Sequence, residues 1–77
     1  MDIRKSFGAA VRKYRQSKEL SQEALALQIG MDRTYVASVE LGKRNISLVN
    51  IKKIAEGLNV PMSQLFAEIE KLSDDKD

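Results

Sequence analysis

Residues 21–43 read SQEALALQIGMDRTYVASVELGK, and the order of small, apolar and polar residues in this stretch decides the fold. Ser21 is a good helix N-cap, and Glu23 stands in the first turn after it, where the positive end of the helix dipole favours an acid. The helix so opened runs to about Ile29 and stops at Gly30, in a turn that calls for the positive φ glycine adopts at little cost. Asp32 caps the next helix, Arg33 to Leu41, and Gly42 fits a left-handed C′ position behind it. Leu25, Ile29, Met31, Val36 and Val39 are apolar where the two helices face a shared core, and Ala26 is small where the second helix crosses the first. Two helices of about eight residues joined by a short turn containing glycine form a helix-turn-helix.

The flanking sequence completes an all-α chain. Ile3, Phe7, Ala10, Val11 and Tyr14 mark one stripe of a helix from about Asp2 to Ser17. After the loop Lys43-Arg44-Asn45-Ile46, Ser47 caps a fourth helix with Leu48, Ile51, Ile54, Ala55 and Leu58 on its apolar face, and Asn59 closes it. Pro61 suits the start of a fifth helix, whose apolar positions are Met62, Leu65, Phe66, Ile69 and Leu72. β-Branched residues nowhere alternate long enough to make a strand. The expected architecture is a compact five-helix bundle: a single domain over residues 1–72, with a dimerisation helix over about 61–72, and an acidic flexible tail at 73–77 that has nothing to bury.

Composition narrows the function. A chain of 77 residues has room for one small domain. With no His and no Cys it lacks histidine bases, thiol chemistry, disulfides and the usual soft metal ligands, and no cluster of carboxylate, lysine and serine stands out as catalytic. An enzyme is not expected, nor a cofactor, a metal or a small-molecule ligand. The want of disulfides points to the cytoplasm, no signal peptide is visible, and no apolar run approaches the ~20 residues of a membrane span. The net charge of +2 hides an asymmetry: residues 1–66 carry eleven Lys and Arg against six acids, and residues 67–77 two against five. A basic body with an acidic end is compatible with an anionic partner.

The outward face of the second motif helix sharpens this. Arg33, Thr34, Ala37 and Ser38 combine a guanidinium fork, two hydroxyls and a methyl, the groups that base edges in a major groove accept. A merely solvated helix more often carries Glu and Lys there.

VRKYRQSKEL, residues 11–20, followed by SQEALALQIGMDRTYVASVELGKRNISLVNIKKIAEGLNVPMSQLF, resembles the Xre/Cro class of five-helix DNA-binding domains that includes phage repressors, a similarity that covers about residues 7–66. Within it the run DRTYVASVELGKRNISL, residues 32–48, is similar to the controller proteins of restriction–modification systems, dimeric regulators of their own operons. The resemblance implies a transcriptional regulator, repressor or activator, of bacterial or phage origin and nucleoid-associated, bound to double-stranded operator DNA. It implies that the helix from Arg33 enters the major groove, with Arg33, Thr34, Ala37 and Ser38 reading bases. Gln22, Tyr35, Lys43, Arg44, Asn45 and Ser47 would hold phosphates, which fix register without reading sequence. For Tyr35 the alternative is a ring packed over the turn; for Lys43 and Arg44, a solvated loop. Arg15 and Glu40 match positions that pair in this class, as a structural brace. The fifth helix is read as the dimer element through Leu65, Phe66, Ile69 and Leu72, against the alternative of folding back on its own chain. Leu27 and Leu41 stand where the class usually has polar residues, as partner contacts or as scattered exposed leucines. An activator of this size would have to touch RNA polymerase directly. An antitoxin or prophage-type regulator acting partly as a protein–protein adaptor is the competing class.

Overall fold

The computed structural model describes residues 2–74, which form α1 (Ile3–Ser17), α2 (Gln22–Ile29), α3 (Arg33–Glu40), α4 (Leu48–Gly57) and α5 (Met62–Asp74). Each of the first four helices is opened by the side chain before it. Asp2 accepts from the N–H of Arg4, Ser21 from Ala24, Asp32 from Tyr35 and Ser47 from Asn50. The same four helices end alike, with a residue at positive φ: Glu19 at 58°, Gly30 at 70°, Gly42 at 76° and Asn59 at 58°. Behind each, an N–H reaches back to an orphan carbonyl of the last turn: Leu20 to Arg15, Met31 to Ala26, Lys43 to Ser38 and Val60 to Ala55, at 2.9–3.1 Å. This is the Schellman ending, which satisfies carbonyls that the helix itself leaves free.

The core draws on all five helices: Phe7, Ala10 and Val11; Leu25, Ala26 and Ile29; Val36 and Val39; Ile54, Ala55 and Leu58; Leu65 and Ile69. α1 lies between α5 and α3, and α2 crosses α3 and rests on α4. Gly8 makes the first crossing possible, because a Cβ there would lie 2.6 Å from the carbonyl oxygen of Glu40. Among the described residues no helix is long and apolar enough to cross a membrane.

Two ends of the expected apolar stripes do not reach the core. Ile3 is 63% exposed and Leu48 is 70% exposed, each in the first turn of its helix, where nothing covers it. The fifth helix also departs from expectation. Leu65 and Ile69 are 0% and 1% exposed within the single chain, so Ile69 needs no partner subunit to cover it. The reason is that α5 folds back along α1, tied by Lys13 to Glu68 at 2.8 Å and by the hydroxyls of Ser73 and Ser6 at 2.8 Å. Ser73 is therefore helical and anchored on a fully buried serine, not the start of a loose tail. The remainder of that expected tail, residues 75–77, lies outside the described residues.

Candidate nucleic-acid interface

Arg33 and Thr34 stand exposed in the first turn of α3, and among the described residues neither has a hydrogen bond or ion pair through its side chain. The turn itself is fixed by Asp32, whose carboxylate accepts from the N–H of Tyr35 at 2.9 Å. One turn further, Ala37 and Ser38 are half-buried. The Ser38 hydroxyl donates to the carbonyl of Tyr35 at 2.8 Å and accepts from Nε of Arg44 at 2.9 Å. With its proton and one lone pair so engaged, the Ser38 hydroxyl keeps a second lone pair for an outside donor.

Arg44 also lies over the Tyr35 ring, with Cζ 4.9 Å from the centroid, within cation–π range. The Tyr35 hydroxyl accepts from Nδ2 of Asn50 at 3.0 Å. Tyr35 thus packs and hydrogen-bonds at once, and its hydroxyl proton stays available to an outside acceptor. Asn50 carries no signal in the sequence for this role. It lies fifteen positions from Tyr35, on a different helix, and only the packing of α4 beside α3 joins them. Lys43, Asn45 and Ser47 are exposed along the loop that follows α3, and Ser47 spends its hydroxyl on capping α4, accepting from Asn50 N–H at 3.1 Å.

α3 is held at its other end by a clamp. Nε and Nη2 of Arg15 donate to the two oxygens of Glu40 at 2.6 and 3.1 Å, Nη1 of Arg15 donates to the carbonyl of Leu20 at 2.7 Å, and the Gln22 amide donates to Glu40 at 3.1 Å. The Glu40 side chain is 4% exposed and that of Arg15 11%. The Glu40 carboxylate raises the Arg15 guanidinium above its already high ordinary value. Gln22 was expected to offer its amide to a phosphate; in the structure one end of that amide is committed to Glu40, a partner on another helix that the sequence did not suggest. The N–H groups that open α2 still precede its first intrahelical bond.

Of the four residues assigned to a dimer contact, Leu65 and Ile69 are core, Leu72 is half-buried against it, and Phe66 is 40% exposed. Leu27 and Leu41 are 78% and 61% exposed. No three of His, Cys, Asp and Glu converge as metal ligands among the described residues.

The helix-turn-helix family model matches residues 11–65. A control protein, C.MunI of Mycoplasma sp, is 54% identical over 71 residues, 91% of this chain and 96% of that protein. The crystal structure of the restriction-modification controller protein C.AhdI from Aeromonas hydrophila superimposes with a TM-score of 0.78 at 48% identity, over 80% of this chain and 90% of that one. The C.Esp1396I controller, solved as a tetramer in complex with its natural 35 base-pair operator, superimposes with a TM-score of 0.86 at 28% identity, over 94% of this chain and 95% of that one. The match covers the motif, its flanking helices and nearly the whole length of each relative: the chain belongs to the helix-turn-helix family, among the control proteins of restriction–modification systems.

Proposed function

We propose that this chain is a sequence-specific regulator that binds double-stranded operator DNA as a homodimer and controls its own operon. The observation that carries the reading is the state of α3: its first turn presents Arg33 and Thr34 without partners, while its far end is locked by the Arg15–Glu40–Gln22 clamp. A helix held rigid at one end and unencumbered at the other suits insertion into a major groove, because its backbone is already placed and its free side chains have no bonds to give up.

In this reading Arg33 donates both arms of its guanidinium to a guanine, Thr34 reads beside it, and the Ala37 methyl meets a thymine methyl. Arg44 moves from Ser38 and Tyr35 to a phosphate, with Lys43, Asn45 and the Tyr35 hydroxyl, and Ser38 reads a base through its hydroxyl. The N–H groups opening α2 and α4 take further phosphates, which set the register. Two copies bring two α3 helices about one DNA turn apart, ~34 Å, onto a pseudo-palindrome. Phe66, Leu48 and Val49, all exposed in the single chain, supply the apolar surface for the two-fold contact. Arg15, Glu40 and Gln22 stay structural. The protein works in the cytoplasm, needs no cofactor or small-molecule ligand, catalyses nothing, and activates, where it does so, by touching RNA polymerase.

Titration of the purified protein onto the DNA upstream of its own gene, against a scrambled duplex of the same composition, tests the reading. The expected preference is on the order of 10³ or more at physiological salt. Equal affinity for both duplexes would overturn it.

A further inference from the structure

Gly42 brings the start of α1 against the loop that follows α3. A Cβ on Gly42 would lie 2.6 Å from Cγ, 2.8 Å from Cα and 3.0 Å from N of Lys5, so the two backbones meet with no side chain between them. Adding a carbon–carbon bond of ~1.5 Å places the two Cα atoms within about 4.3 Å, and one further Cα step of ~3.8 Å reaches Lys43. Lys5 and Lys43 are both exposed, so two flexible ammonium groups leave one small area of backbone. Arg44 follows immediately, and it shares with Arg4 and Asn45 the rim of a groove otherwise lined by apolar side chains such as Ile3, Ile51 and Phe66, so the N-terminal end of α1 and this loop adjoin.

Among the described residues the charge on that surface is compensated in part. Asp2 is the acid at this end of α1, and its carboxylate is taken by Arg4, through the backbone N–H at 2.8 Å and the guanidinium at 2.8 Å. Those contacts, the side-chain bond first, hold Asp2 well below the ordinary carboxylate range, at about 2. Among the described residues Lys5 has neither an ion pair nor a side-chain hydrogen bond. Three cations, Lys5, Lys43 and Arg44, therefore stand together, and Arg44 lies over Tyr35 and Ser38, so the cluster is continuous with the outward side of α3.

We infer that Lys5 is a further phosphate-binding residue, extending the DNA contact of Lys43 and Arg44 across Gly42 onto the first turn of α1. The inference rests on the DNA-binding reading above. Each strand of a duplex offers a phosphate about every 3.4 Å along the axis, a spacing that two neighbouring lysines on mobile stems can follow. Such a contact adds affinity and salt dependence without sequence preference.

The test is equilibrium binding by the intact protein across a salt series, to its selected operator and to a ~30-base-pair duplex of unrelated sequence. Wild type, Lys5→Gln, Lys5→Arg and Lys53→Gln are compared, with thermal melting as the check on folding. Lys5→Gln is expected to flatten the slope of log affinity against log salt by about 0.9 on both duplexes while the operator preference stays unchanged. Lys5→Arg should keep the wild-type slope, and so should Lys53→Gln. A wild-type slope in Lys5→Gln, or an equal flattening in Lys53→Gln, overturns the inference and leaves the DNA-binding reading standing. Wild type that binds neither duplex overturns both.

Discussion

Glu40 accepts three hydrogen bonds in a site that is 4% exposed, and a carboxylate so placed is costly to remove because it leaves the Arg15 guanidinium buried without its partner. Glu40→Ala is predicted to lower the unfolding free energy by about 3–5 kcal/mol, read from urea denaturation, whereas replacing both partners with apolar residues of similar size should recover much of the loss. The glycines separate two kinds of constraint. At Gly30 nothing lies within 4 Å of an added Cβ, so Gly30→Ala meets only the cost of positive φ, about 1–2 kcal/mol. At Gly8 the added atom would meet the backbone of Val39 and Glu40, and Gly8→Ala should cost about 1–3 kcal/mol and disturb the clamp beside it. The first constraint was legible in the sequence, since a turn glycine between two capped helices is a local signal. Neither Gly8 nor the Tyr35–Asn50 bond was, because each is set by what another helix brings opposite, and no spacing along the chain encodes that.

At the scale of the element, caps read from single residues gave usable boundaries: Asp32 opens α3 and Gly42 closes it. The stripe on α5 read differently in sequence and structure. Periodicity identifies which face of a helix is apolar but not what covers it, and Leu65 and Ile69 are covered by their own chain rather than by a second copy. This yields a pair of opposed outcomes. Ile69→Ala should destabilise the monomer fold by about 2–5 kcal/mol, read by urea denaturation. Phe66→Ser, at a side chain that is 40% exposed, should leave the helical content intact and shift the sedimenting species from dimer to monomer. Undisturbed dimerisation in Phe66→Ser would remove the proposed two-fold contact.

At the scale of the whole molecule, a body of 35 × 23 × 22 Å packs α3 against α1 and α2, and those two helices in turn rest on α5 and α4. The net charge of +2 is the sum of a basic body that holds Arg33, Lys43 and Arg44 and an end, residues 67–77, with five acids against two lysines. Base reading and phosphate binding should therefore separate on mutation. Arg33→Ala should cost about 1–3 kcal/mol on the operator and relax the preference at one base position, while Lys43→Ala should weaken all duplexes alike and flatten the salt slope by about one. The most direct measurement of the central claim is selection of duplexes from a random pool by the intact protein, followed by sequencing. An inverted repeat is predicted, with half-sites ~34 Å apart centre to centre and degenerate positions where Arg33→Ala is used in place of wild type. A pool that yields no enrichment, or a single unrepeated site, would contradict it.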